Sequence, residues 1–210
     1  MKGGLTEPHV LATVATMNFI VPEKPMAGAE RELRLLSYVE RWQIVQVNRR
    51  QNLAEHQYHV AILAWRMVED CDLRSAFGIN MEDVFRESLL HDLPETLSGD
   101  IPSPVHQRVK QDPGWRGWLA ARVREFFPWY EERPCVIVKH VVSICDLLEA
   151  LLYLSEEMQM GNRYVEPHYA YLKDRMDDLL LTLPGSGDIA RWVRATLERA
   201  TKPAKVLLNP

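Results

Sequence analysis

Four residues in this sequence are of types, and in places, suited to holding a divalent cation: His56, the adjacent pair His91–Asp92, and Asp146. Two imidazoles and two carboxylates make a mixed nitrogen and oxygen donor set that suits Mn²⁺, Co²⁺, Fe²⁺, Ni²⁺ or Zn²⁺, and less obviously Ca²⁺. Asp146 is the oddest of the four. It lies in VVSICDLLEALLYL, an apolar run in which a lone carboxylate is costly to bury unless it is paired or coordinated. A cation would account for it, and so would a buried arginine partner. The pair His91–Asp92 closes the apolar start of LLHDLPETLSGDIPSP. Beyond it the chain is acidic and stiffened by prolines, with Glu95 three residues past Asp92 and Asp100 after Gly99.

Helices must bring these residues together. In AERELRLLSYVERWQIVQV (29–47), Leu33, Leu36, Val39 and Ile44 recur at helical spacing and predict a first helix. NRRQNLAEH reads as a loop. AEHQYHVAILAWRMVEDC predicts a second helix with an apolar stripe of Val60, Ile62 and Leu63, and it carries His56 near its start. MEDVFRESLLHD predicts a third, stopped by Pro94, with His91–Asp92 at its end. SPVHQRV opens a fourth, interrupted at DPGW and continued by WRGWLAARVREFF. RPCVIVKHVVSICDLLEALLYLSEEMQMGN is the longest, carries Asp146, and closes on Gly161–Asn162 as a C-cap signal. CVIVKHVV is locally β-prone, but its continuation is long and rich in Leu, Glu and Ala, so it reads as helix. EPHYAYLKDRMDDLLLTL and GDIARWVRATLERA supply two more. The expected fold is an all-α bundle with a metal site between helices. Its expected parts are an N-terminal extension over 1–28, a functional domain over 29–183, and a C-terminal helix and tail over 184–210.

Composition narrows the function classes. A chain of 210 residues with 47% hydrophobic and 26% charged residues suits one soluble globular domain. A net charge of −4 argues against a general binder of polymeric nucleic acid, yet is compatible with a small anionic ligand held by a few arginines. Cys71, Cys135 and Cys145 are odd in number and lack a CxxC spacing, which points to reduced thiols, with Cys145 a small core residue. No apolar run approaches the roughly 18 residues needed to cross a bilayer. The expectation is a cytoplasmic protein with no membrane partner.

The H…HD…D arrangement resembles the HD-domain phosphohydrolases, and most closely the bacterial 5′-deoxynucleotidases among them. The resemblance runs from about Glu30 to Gly161, through ERW at 40–42, NLAEH at 52–56, HDLPETLSGDIPSPV at 91–105 and CDLLEALLYLSEEMQMGN at 145–162. It implies an HD-domain helical bundle with one divalent metal ion (Co²⁺, Mn²⁺, Zn²⁺, Fe²⁺, Ni²⁺ or Mg²⁺) held by His56, His91, Asp92 and Asp146. It implies a catalytic carboxylate at Glu95, and at Asp100 a carboxylate facing substrate that helps position water or sugar. Arg41 and Trp42 would line the nucleotide pocket, the arginine toward phosphate and the tryptophan toward the sugar. Pro102 would shape the same wall, and Arg49 would be a second phosphate contact.

The implied reaction is metal-dependent hydrolysis of deoxynucleoside 5′-monophosphates to deoxynucleoside and phosphate. A deoxynucleoside triphosphate triphosphohydrolase (for example on dATP) is the alternative on the same scaffold, with Arg49, Arg50, Arg108 and Lys110 as candidates for the longer polyphosphate. A nucleotide-binding protein without turnover is the second alternative, and an intact Glu95 argues against it. Plainer readings stand beside each residue. Glu95 would cap the ETLSGD turn, Asp100 would be a turn residue, Arg41 a solvated charge and Trp42 plain core. His59 neighbours His56 on one helix face but is not a position the family uses, and neither His106 nor His140 has the spacing of two-metal relatives. Relatives place a lysine about one turn before the last aspartate, where this chain has VVSIC, so Lys139 or Arg49 would have to replace it. A homodimer or higher homo-oligomer is expected, with Tyr153, Met158 or Trp192 on its contact face.

Overall fold

Helix α1 (Leu53–Asp70) begins where the local chemistry says it should. The Asn52 side chain accepts a hydrogen bond from the backbone N–H of Glu55, satisfying one of the otherwise unpaired donors of the first turn. His56 follows immediately, fixed in direction by that cap. The chain analysed is a computed structural model that describes residues 33–130, 135–182 and 186–202. The extension expected over 1–28 lies outside the described residues.

The elements after α1 are α2 (Leu73–Phe77), α3 (Met81–Leu90), α4 (Glu95–Ser98), α5 (Ser103–Val109), α6 (Pro113–Phe126), α7 (Val136–Gln159), α8 (Glu166–Leu181) and α9 (Ser186–Ala200). Short 3₁₀ turns span Arg34–Tyr38 and Arg163–Val165. The expected all-α architecture is what forms. Among the described residues the extended pairing is one isolated antiparallel bridge, Glu40 to Asn52. No helix in the described residues is long and apolar enough to cross a membrane.

Helix α7 is the central column, packed by α1, α3, α8 and α9. Its buried face includes Val141, Ile144, Cys145, Leu148, Leu151 and Leu154. It ends as its sequence suggests. Gly161 takes a positive φ of 89°, its N–H donates to the Met158 carbonyl, and the Asn162 N–H donates to the Glu157 carbonyl. That pair of bonds satisfies carbonyls that the last turn would leave open. Ile189 and Val193 of α9 sit in the same core, so the C-terminal helix is built into the bundle rather than appended to it.

A second, smaller core joins Leu93, Val123 and Phe127, with Leu90, Leu97, Leu119 and Trp129 packed around it. It anchors the turn between α3 and α4. Leu93, fully buried, lies between Asp92 and Glu95, so the acidic loop hangs from an apolar peg.

Three expectations from periodicity differ from what forms. Of the first helix, expected over 29–47, the described part from Arg34 is one 3₁₀ turn followed by an extended loop: Val39 is extended, and the Arg41 N–H donates to the Gln51 carbonyl. Its β-branched Val39, Ile44, Val45 and Val47 favour helix only weakly, and tertiary contacts of Arg41 and Trp42 decide the conformation. On α1 the buried stripe is Val60, Ala64, Met67 and Val68, whereas Ile62 is 38% exposed. Tyr153 is 2% exposed and cannot serve as a contact face, and the Trp192 indole N–H donates to Asp70 within the chain.

Candidate metal centre

Three helices and one turn deliver the four cation-ligand candidates to one place. His56 comes from the first turn of α1, His91 from the C-cap of α3, Asp92 from the turn that follows, and Asp146 from the middle of α7. Ligand atoms of His56, His91 and Asp146 all lie within 4.8 Å of one another. Asp92 Oδ2 lies 3.2 Å from His91 Nε2 and 3.6 Å from His56 Nε2. Asp146 Oδ1 lies 3.1 Å from His56 Nε2.

Both imidazoles are oriented by their other nitrogen. His91 Nδ1 donates to the Ser88 carbonyl at 2.9 Å, and His56 Nδ1 meets Glu149 Oε2 at 2.6 Å. The two Nε2 atoms are buried and make no hydrogen bond. Buried polar atoms without partners are rare, and here two of them converge with two carboxylates. A divalent cation fits this donor set: it would be held by His56, His91, Asp92 and Asp146, with both imidazoles presenting Nε2.

The electrostatics point the same way. Burial pulls the His91 imidazole down, but Asp92 and Asp146 outweigh it and push the group up to about 9. Burial works to raise Asp146, but His56, His91 and Arg41 hold its carboxyl well below the usual range. The site therefore favours concentrated positive charge between fixed negative groups. Asp146 itself is 40% exposed, so the carboxylate opens to solvent at the rim of the core rather than being sealed inside it.

Glu95 begins α4, and burial together with the charges of Asp92 and Asp100 raises its carboxyl to about 9. Asp100 lies after Gly99 in the extended link to α5; burial also raises it, opposed by Arg41 and by the backbone N–H of Trp42. Pro102 stands at the N-cap of α5. Arg41 enters from the extended loop, with Nη2 3.9 Å from Asp146 Oδ1 and Nη1 3.3 Å from Glu149 Oε2. Burial disfavours its charge, but Asp146, Glu149, Asp92 and Asp100 secure it. Trp42 adopts φ 61°, which an L-residue with a large side chain rarely takes. Its ring lies flat on Tyr153, with centroids 5.4 Å apart and an interplanar angle of 6°, and its indole N–H donates to Gln51 Oε1. Those contacts hold the strained backbone in place.

Arg49 does not join the cluster. It pairs with Glu55 and Glu156 and lies over the Tyr153 ring, so its expected role as a second phosphate contact has no support in this arrangement. Arg50 pairs with Glu40, and Arg108 and Lys110 are exposed on and just after α5. His59 sits on the other side of Glu149, 3.5 Å from Oε1, and His140 bonds the Val136 carbonyl of its own helix.

Two buried carboxylates around the cluster escaped the sequence reading. Glu149 braces His56 and accepts from Gln51 Nε2 at 2.6 Å. Glu157, fully buried, accepts from the backbone N–H groups of Asn48 and Arg49 and from the Asn162 amide, tying down the loop that carries Arg41 and Trp42. The signal was available for Glu149, which is a second carboxylate three residues after Asp146 in the same apolar run.

Comparison with known proteins agrees with this geometry. The family model described as "HD domain" matches residues 33–114. A dATP triphosphohydrolase of Salmonella phage PMBT28 is 36% identical over 135 residues, which cover 62% of this chain and 68% of the phage protein. The chain belongs to the HD-domain family. A 5′-deoxynucleotidase of Erwinia tasmaniensis is 33% identical over 150 residues, covering 62% of this chain and 73% of that relative. Two solved structures share the HD fold. The HD phosphohydrolase of Cyanophage S-2L, bound to dA and one catalytic Zn²⁺ ion, superposes with a TM-score of 0.59 at 22% identity, covering 81% of this chain and 96% of its own. A protein of Pyrococcus horikoshii OT3 gives 0.64 at 19% identity, covering 83% and 99%. As an HD protein with relatives of these names, the chain is a phosphohydrolase.

Proposed function

We propose that the chain hydrolyses deoxynucleoside 5′-monophosphates to deoxynucleoside and phosphate, using one divalent cation held by His56, His91, Asp92 and Asp146. The observation that carries this reading is Arg41. Its guanidinium is drawn by Asp146 and Glu149 to the edge of the four-residue cluster, whereas Arg49 and Arg50 are paired with glutamates elsewhere. One forked cation beside one metal position matches one phosphate group.

A bound divalent cation supplies Lewis acidity, withdrawing charge from a phosphoryl oxygen and making water a stronger acid. Arg41 orients the phosphate through paired N–H donors. Glu95, ionised once the charge of Asp92 and Asp100 beside it is offset by the cation, takes the proton of the attacking water on a carboxylate oxygen. It then delivers that proton to O5′ as the P–O5′ bond breaks and the new P–O bond forms. Asp100 helps place water or sugar, Pro102 shapes the wall beside it, and the Trp42 ring, immobilised on Tyr153, closes the sugar side. A rigid ring there excludes a 2′-hydroxyl by shape.

The same residues serve a deoxynucleoside triphosphate cut at the α-phosphorus. That second reading is favoured by relatives named dATP triphosphohydrolase in Salmonella phage PMBT28 and Cyanophage S-2L. Product identity separates the two. Metal-stripped protein is restored with Mn²⁺ or Co²⁺ and offered matched ribo- and deoxynucleotide mono- and triphosphates, with nucleoside, phosphate and triphosphate followed separately. Phosphate from deoxynucleoside monophosphates is the expected outcome. Triphosphate release from a deoxynucleoside triphosphate would install the second reading, and no product under any metal would leave a nucleotide-binding protein.

A further inference from the structure

Glu149 is the least expected residue near the cluster. It lies on the inner side of α7 and is 4% exposed, a carboxylate in the bundle core with every approach filled by a donor. Oε1 accepts from Gln51 Nε2 at 2.6 Å and lies 3.5 Å from His59 Nδ1. Oε2 meets His56 Nδ1 at 2.6 Å and Arg41 Nη1 at 3.3 Å.

Glu149 thus faces one nitrogen of His56 while Asp92 and Asp146 face the other. With a cation on Nε2, the ring hydrogen would sit on Nδ1 and be donated to Glu149, since a carboxylate can only accept. Gln51 holds the carboxylate plane from the other side, and its own Oε1 accepts from the Trp42 indole. One buried acid thus braces the His56 ring, anchors Arg41 and, through Gln51, reaches the Trp42 ring.

We infer that Glu149 is a positioning residue, which presents His56 Nε2 to the metal and holds Arg41 beside it, so that metal affinity and phosphate binding depend on one carboxylate that touches neither ligand. This rests on the reading of His56 as a metal ligand, and the test separates failure of one from failure of the other.

Metal dissociation constants for Zn²⁺ and Mn²⁺ are measured on the full chain by competition with a chromophoric chelator. The ¹⁵N shift of His56 Nδ1 in the Zn²⁺-loaded protein reports its hydrogen bond to Glu149. Glu149→Leu is expected to weaken metal binding by about 10- to 100-fold, the usual effect of losing a partner of a ligating histidine, and to move that shift to the value of an N–H without a carboxylate partner. Glu149→Gln keeps an acceptor oxygen for Nδ1 and is expected to recover most of the affinity while raising KM, because the charge holding Arg41 is gone. Should Glu149→Leu not fold, Gln51→Leu removes the donor that orients the carboxylate and is expected to weaken metal binding several-fold. Metal binding by Glu149→Leu or Gln51→Leu within threefold of the parent, with the His56 Nδ1 shift unchanged, would overturn the inference while His56→Ala still lost the metal. Retained metal binding in His56→Ala would instead remove the ligand assignment, and this inference with it.

Discussion

Asp146 and Glu149, three residues apart on α7, meet opposite nitrogens of the same imidazole: Asp146 Oδ1 is 3.1 Å from His56 Nε2, and Glu149 Oε2 is 2.6 Å from Nδ1. One helix thus supplies a carboxylate to each nitrogen of one histidine ring. The spacing is that of neighbours on a helix surface, which lets both carboxylates reach the same ring.

Removing the proton-transfer group tests the chemistry apart from the site. Glu95→Gln keeps the shape of the side chain but has no basic oxygen to take a proton. We expect kcat to fall by about 10²- to 10⁴-fold, with metal content unchanged by atomic absorption. Turnover equal to the parent enzyme would take Glu95 out of the reaction.

Arg41→Lys keeps a positive charge but loses the planar fork, and its ammonium cannot span Asp146 and Glu149 in the same way. The expected result is a rise in KM for the nucleotide of about tenfold or more, with a smaller change in kcat. Steady-state kinetics at saturating metal read it directly. An unchanged KM would place the phosphate elsewhere.

Trp42→Ala removes the ring held on Tyr153. Discrimination by shape against an added hydroxyl is worth about a hundredfold at most, so the ratio of kcat/KM for deoxy- over ribonucleotide is expected to fall toward unity. A preserved ratio would move the sugar filter to another residue.

The pH dependence of the metal-stripped protein follows from three groups around the site. His91 and Glu95 both hold their protons more tightly when folded, at about 9 against ordinary values of 6.5 and 4.5. Their contributions are complete below those ordinary values and are lost as pH rises toward 9. Glu149 runs the other way. Burial would raise it, but His56, His59 and Arg41 hold it at about 2, so its contribution is present above 4.5 and lost as pH falls toward 2. Stability in urea is therefore expected to be greatest near pH 4.5, to decline above it as Glu95 loses its proton, and to fall more steeply from 6.5 toward pH 9. Metal supplies the positive charge otherwise carried by the His91 proton, so the metal-loaded protein should lose less over the same range. A metal-free profile that rose toward pH 9 would contradict these assignments.

Glu157 offers a test remote from the reaction. Its carboxylate is the shared acceptor for the N–H groups of Asn48 and Arg49 and the Asn162 amide. Replacing it with Ala removes all three bonds and leaves the buried Asn162 amide without this acceptor, at a cost of about 3 kcal/mol in chemical denaturation. Because the loop it ties down carries Arg41 and Trp42, a higher KM is expected to accompany the loss.

Much of this was legible in the sequence because it rests on local rules. The Asn52 cap sets where α1 starts, Gly161 sets where α7 ends, and Asp146 announces itself as a carboxylate in an apolar run. Glu149 carried the same signal but reads as an ordinary polar position in a Leu- and Glu-rich helix until His56 is seen behind it. The loop over 39–47, unlike its continuation from Asn48, was not legible, because its conformation is set by contacts with Tyr153 and Glu149, about a hundred residues away. Periodicity alone favoured helix there, and a positive φ at Trp42 has no local cause in the residue itself. The apolar stripe on α1 was misplaced by Ile62, since composition does not say which side of a helix meets α7.

The central claim is that hydrolysis depends on one cation at these four side chains. The direct measurement is deoxynucleotide turnover against equivalents of Mn²⁺ added to stripped protein, with bound metal determined on the same samples. Activity should rise in proportion to bound metal, level off at one equivalent per chain, and vanish in Asp146→Asn. Turnover without metal, or turnover by Asp146→Asn equal to the parent enzyme, would contradict it.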